Sequence, residues 1–117
     1  MISHNDLSEN LRCITLSGRL DIQGTEEIAK EFTSLSATAK RCVIVDLSGL
    51  TVLASIGIRA LISNGKMLQQ KGGRMALVVG DNAIVSKTLE TTGISVLLKM
   101  FKTTQEAESS LLDGWCQ

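Results

Sequence analysis

Apolar and polar positions change rhythm several times along the chain, and each change predicts an element. Leu11-Arg12-Cys13-Ile14-Thr15-Leu16-Ser17 mixes β-branched and apolar residues with polar ones and ends at Gly18. That is the pattern of a strand with one face in a core. A shorter strand over Ile2 to Asp6 is expected before it, with Leu7 to Asn10 as a hairpin loop. Ile28, Phe32 and Leu35 then recur at helical spacing behind Glu26 and Glu27. Acids favour the positive end of a helix dipole, so a helix is predicted from Thr25 to about Ala37.

Cys42 to Leu47 is a short run, apolar but for Asp46, without clean alternation, as in a strand covered on both faces. Ser48-Gly49 is expected to break it. Ile58, Leu61, Ile62, Gly65 and Leu68 mark a second helix from Ser55 to about Lys71, stopped by Gly72-Gly73. Met75 to Val79 is a further buried strand. Asp81 or Asn82 caps a third helix carrying Ile84, Val85 and Leu89 and closed by Gly93. Val96 to Met100 is a last extended piece, and Thr103-x-x-Glu106 is a capping box before a fourth helix with Ala107 and Leu111. Alternating strands and helices imply an α/β fold with a mixed, mainly parallel sheet of four to five strands and about four helices.

The 117 residues are enough for a single domain, 1–117, with its own core. Apolar residues make up 44% and charged residues 21%, which argues against a disordered chain. The formal net charge is zero, so a broad electrostatic grip on nucleic acid or anionic lipid is not expected. Aromatic residues are only 3%, too few for a base-stacking platform. No apolar run approaches the roughly 20 residues that span a bilayer, and Met1 to Asn10 lacks the order of a secretion signal. The three cysteines, Cys13, Cys42 and Cys116, suggest neither a disulfide framework nor a zinc site. Cys13 and Cys42 read as small buried hydrophobes in a reducing cytoplasm. No cofactor or metal is expected.

Catalytic equipment is sparse. Gly65-Lys66 has Ala60 where a phosphate loop needs its first glycine, and His4 is the sole histidine available to a nucleophile. Asp21 and Asp46 could meet at one sheet end, with Lys99 or Lys102 completing an acidic phosphoryl-transfer site. The junction from Asp46 to Ile58 is more distinctive. A buried strand ends, an apolar-rich turn follows, and Ser55 stands at the start of a helix. Two readings are open there. Ser55 caps the helix with its hydroxyl, or it offers that hydroxyl to an outside kinase.

Four fragments in order carry a resemblance. They are Ile14-Thr15-Leu16-Ser17-Gly18-Arg19-Leu20-Asp21, Asp46-Leu47-Ser48-Gly49-Leu50, Ala54-Ser55-Ile56-Gly57-Ile58, and Gly72-Gly73-Arg74-Met75 before an apolar strand. Together, over about Leu11 to Leu112, they resemble the STAS-domain family of anti-sigma factor antagonists. The resemblance implies a STAS-like fold and a non-enzymatic bacterial switch. Such a protein docks on an anti-sigma factor that is also a serine kinase, frees a sigma factor, is phosphorylated on Ser55, and is reset by a serine phosphatase. It further implies a docking face of Asp21, Asp46, Ser55, Ile56, Gly57 and Arg59. Ala54 stands where the family usually has Asp, which removes a repulsion toward phosphate and also a group a kinase could read. Two other functions stay open: a non-switching STAS subunit, for example beside a lipid-transporter ATPase, and a small phosphoryl-transfer enzyme built on Asp21 and Asp46.

Overall fold

A computed structural model describes residues 1–37, 42–94 and 98–114. The elements run β1 (Ile2–Ser8), β2 (Leu11–Leu20), α1 (Ile22–Ala37), β3 (Cys42–Leu53), α2 (Ser55–Gln70), β4 (Arg74–Val78), α3 (Ala83–Thr92), β5 (Lys99–Phe101) and α4 (Thr104–Gly114). The five strands lie in sequence order in one sheet. β1 pairs antiparallel with β2, and every later pair is parallel. This is the expected mixed sheet.

The period of two along each strand divides the core into two layers. Val43, Val45 and Leu47 of β3, with Met75, Leu77 and Val79 around β4, face one layer. Ile28 and Phe32 of α1, Ile58, Leu61 and Leu68 of α2, and Val85 and Leu89 of α3 fill it. Cys42 and Ile44, with Ala76 and Val78, face the other layer under Ala107 and Leu111 of α4. Both faces of the middle strands are thus covered, which is why their sequence shows no alternation. Gly65 lets α2 approach closely, because a Cβ there would sit 2.6 Å from Leu98 Cδ2.

Five elements differ from expectation. β1 runs on to Ser8 and β2 passes through Gly18 to Leu20. Ser48-Gly49 does not end β3. The strand continues to Leu53, and the register with β2 shifts between Thr15 and Ser17 and again between Gly18 and Arg19. Each shift gives β3 an extra residue, the signature of a bulge. At the first, Ser48 donates from its N–H (3.0 Å) and from its hydroxyl (2.7 Å) to Asp46 Oδ1. At the second, the Thr51 hydroxyl donates to the Gly18 carbonyl at 3.1 Å. β4 pairing stops at Asp46–Val78. Beyond it the Asn82 side-chain amide takes over, donating to the carbonyls of Ser48 (3.1 Å) and Leu50 (2.7 Å). Asn82, not Asp81, also caps α3 by accepting from Val85 N–H at 3.2 Å.

Helix α1 starts at Ile22 rather than Thr25, so Glu26 and Glu27 lie beyond its first turn. The last strand is Lys99–Phe101; residues 96 and 97 of the expected piece lie outside the described residues. Cys42 is disulfide-bonded rather than merely buried, which corrects its reading as a free hydrophobe. Spacing along a chain does not show which sulfurs the fold brings together. Cys116 and Trp115 lie outside the described residues. Cys13 is a free cysteine, half-buried, and burial pushes its thiol above the ordinary range, with Asp46 adding to the effect. A thiol held in that state is a poor nucleophile.

Candidate functional site

The two bulges carry β3 out beyond β4, so that β2 and β3 end side by side. Leu20 pairs with Leu53, and Ala54 N–H donates to the Leu20 carbonyl at 2.9 Å. Helices α1 and α2 therefore begin next to each other at one end of the sheet. Asp21 caps α1: its Oδ1 accepts from Gly24 N–H at 2.8 Å, and its carbonyl accepts the first helical bond from Thr25 at 2.9 Å. Arg19 Nε donates to Asp21 Oδ2 at 3.1 Å. The Gly24 amide, then the Arg19 guanidinium, hold this carboxyl below the usual aspartate range.

A lowered folded-state pKa adds stability above the unfolded value, about 3.9, and loses it as pH falls through the folded one. Asp21→Ala should thus lower the thermal midpoint by a few degrees at pH 7. The gap from the parent chain should narrow as the pH drops below about 4. Calorimetry across pH 2–7 checks it, and a gap independent of pH would contradict the ionised cap.

At the start of α2 the capping residue is Ala54, in extended conformation and without a side-chain cap bond. Ser55 is the first helical residue, so it is not the cap that one sequence reading made it. It is exposed, and its hydroxyl makes no hydrogen bond to any described residue. Gly57 is buried, and a Cβ there would meet Leu53 Cδ1 at 3.1 Å and Leu20 Cβ at 3.2 Å. Its place in the site is to let α2 sit tightly on the sheet. Leu53 and Ile58 are core, whereas Val52 is half-buried. Ile56 is half-buried and Arg59 is exposed.

Two open grooves share Ala54 and Ser55. One, about 390 Å³, lies toward α1 and is lined also by Ile22, Ile56 and Arg59. The other, about 650 Å³, lies toward α3, with Ile58, Ile84, Lys87 and Thr91 among its walls. Ile22 and Ile84 are 66% and 61% exposed, so a large apolar side chain stands on each side of the serine. Sequence reasoning missed both. Ile84 was expected in the core stripe of its helix, but α3 turns Val85 and Leu89 inward and leaves Ile84 out. Lys87 was also missed. Nothing in its own neighbourhood links it to Ser55, because α3 reaches that groove only in the folded chain.

Asp46 does not join this surface. It follows Ile44 by two on the strand and so faces the α4 side of the sheet, where its charge acts on Cys13. It pairs with Thr15, six residues before Asp21, or roughly 20 Å along a strand. The acidic cluster that a phosphoryl-transfer site would need is therefore not assembled. Lys102 pairs with Asp81 at 3.3 Å, not with either of them, and Lys99 is exposed at the edge strand. Among the described residues no group of three or more His, Cys, Asp or Glu could hold a metal ion. Among them, too, no helix is long and apolar enough to cross a membrane.

A five-stranded mixed sheet that presents a serine at the mouth of its second helix defines an α/β domain of the STAS type. The STAS domain family matches residues 5–107, and the chain belongs to that family. The fold is that of anti-sigma factor antagonists. It is similar to one from Mycobacterium paratuberculosis at 18% identity, covering 97% of this chain and 94% of that one, with a TM-score of 0.87. It is also similar to the anti-sigma factor antagonist SpoIIAA in its unphosphorylated form, at 19% identity and a TM-score of 0.78, covering 97% of each chain. The phosphorylated form of the Bacillus cell fate determinant SpoIIAA matches at 19% identity and a TM-score of 0.70, covering 95% of this chain and 99% of that one.

Proposed function

We propose that this chain is an anti-sigma factor antagonist that works in the bacterial cytoplasm as a partner switch rather than as an enzyme. It docks through the surface around Ser55 on an anti-sigma factor that is also a serine kinase, and so frees a sigma factor. The kinase then transfers a phosphoryl group. Ser55 Oγ attacks the γ-phosphorus of ATP, the bond to the bridging oxygen breaks, ADP leaves, and the hydroxyl proton passes to a base of the kinase. A serine phosphatase hydrolyses the ester and resets the switch. Asp21, Ile56 and Arg59 belong to the docking face, and Gly57 supports it from beneath.

The observation that carries this reading is the Ser55 hydroxyl itself, which is exposed, makes no hydrogen bond to a described residue and lies between two open grooves. A phosphate there brings about −1.5 to −2 charges. The helix N-terminus favours an anion, so the fold survives the modification, and release arises at the interface.

A second reading, a non-switching STAS subunit beside a transporter ATPase, draws on Ala54 in place of the family's usual Asp. Incubation with a candidate kinase and ATP separates the two. Mass spectrometry is expected to find one added phosphate on Ser55 and none on Ser55→Ala. Equal phosphorylation of Ser55→Ala would place the acceptor elsewhere. A partner that binds while leaving Ser55 unmodified would favour the second reading.

A further inference from the structure

The charges along the two grooves are all of one sign. Arg59 lines the groove toward α1, and Lys87 lines the groove toward α3. Among the described residues neither groove has a carboxylate in its walls. Arg19, by contrast, is spent on Asp21, and Lys102 on Asp81. Arg59 and Lys87 have no ion-pair partner among the described residues, and both are exposed. Arg59 lies four residues after Ser55 on α2, hence on the same face one turn below. Long helical side chains lean back toward the N-terminus, which sends the guanidinium toward position 55. Lys87 approaches from the other side, on a different helix.

We propose that Arg59 and Lys87 form a two-sided cation clamp for a phosphoserine at position 55. The inference rests on the reading of Ser55 as the phosphate acceptor and adds which groups register the modification. The guanidinium offers paired donors to two phosphate oxygens, and the ammonium adds a point charge. The pair matches the dianion in charge. Closing over the phosphate, both side chains fold across the groove mouths and cover Ile22 and Ile84 from a docking partner. With the serine unmodified the two grooves stay open. The switch is then a change of surface as well as of charge.

The test installs phosphoserine at position 55 during synthesis of the full chain, so it needs no kinase. Phosphorus NMR follows the second ionisation of the phosphate against pH, with the same chain unfolded in urea as reference. Nearby cations favour the dianion. The folded chain is expected to titrate about 0.5 pH or more below the unfolded one. Arg59→Gln and Lys87→Gln should each recover part of that difference, and the double variant more than either, leaving the part that the helix N-terminus supplies. Lys66→Gln, which removes an exposed cation elsewhere on α2, should change nothing. A double variant that titrates like the parent chain would overturn the clamp. Lack of phosphorylation by any kinase would instead count against the acceptor role of Ser55, and the two failures are read in separate experiments.

Discussion

Ser55→Asp is expected to fold as stably as the parent chain and to bind its kinase partner at least about thirtyfold more weakly. The first half follows from position. Ser55 is the first residue of α2, exposed, and its hydroxyl holds no bond to a described residue that substitution would break. A carboxylate in the first helical turn meets unbonded amides and the favourable end of the dipole. The thermal midpoint should therefore stay within a few degrees. The second half follows from the interface. A docked partner that covers the two grooves also covers position 55, and it must either pull Arg59 and Lys87 off the carboxylate or desolvate all three charges, at a cost of about 2 kcal/mol or more. That corresponds to about thirtyfold in affinity. Titration calorimetry against the kinase reads the loss, and differential scanning calorimetry reads the midpoint. Unchanged affinity would mean that position 55 lies outside the contact. A large fall in the midpoint would mean that the serine is structural.

Gly24→Ala should be the most damaging single-methyl change near the site. A Cβ at this position would overlap the Arg19 carbonyl oxygen and approach Asp21 Oδ1 at 3.2 Å. Backbone cannot yield as a side-chain tip does. Arg19 is tied into β2, opposite Val52 of β3, so relief requires α1 to move away from its own cap. The expected cost is about 3 kcal/mol or more, a fall in the midpoint of about 10 °C or more. Gly72→Ala is the control. Its φ is +85° and no atom of a described residue lies within 4 Å of where a Cβ would sit, so the left-handed strain of about 1–2 kcal/mol is what applies. If the two variants unfold at the same temperature, α1 does not begin against Arg19. Because Asp21 and Ile22 border the Ser55 surface, Gly24→Ala should also weaken partner binding.

The placement of nearly every element was legible in local pattern. Buried runs such as Met75–Val79 and helical spacings such as Ile58, Leu61, Ile62 and Leu68 depend on period and on nothing distant. The course of β3 was not legible. Ser48-Gly49 is a good local breaker, yet pairing with β2 and the reach of Asn82 carry the strand through it as a bulge. Tertiary pairing outweighs local preference in that stretch. The start of α1 was misplaced for a related reason. In the sequence Asp21 reads as an acid at the end of the sheet, in a docking face or beside Asp46, and its capping role depends on Gly24 folding back to it.

By itself, the sequence determined the α/β alternation, the single domain and the serine at the head of the second helix, because each is written in spacing along a few neighbouring residues. Only the tertiary structure decided that this serine is free rather than a cap, and that Asp46 faces the far side of the sheet. The same holds for the grooves that gather Ile22, Arg59, Ile84 and Lys87 around position 55. Those facts depend on which faces meet and on which strand outruns its neighbour. Residues 22, 55 and 87 become neighbours only when three separate helices are packed on one sheet.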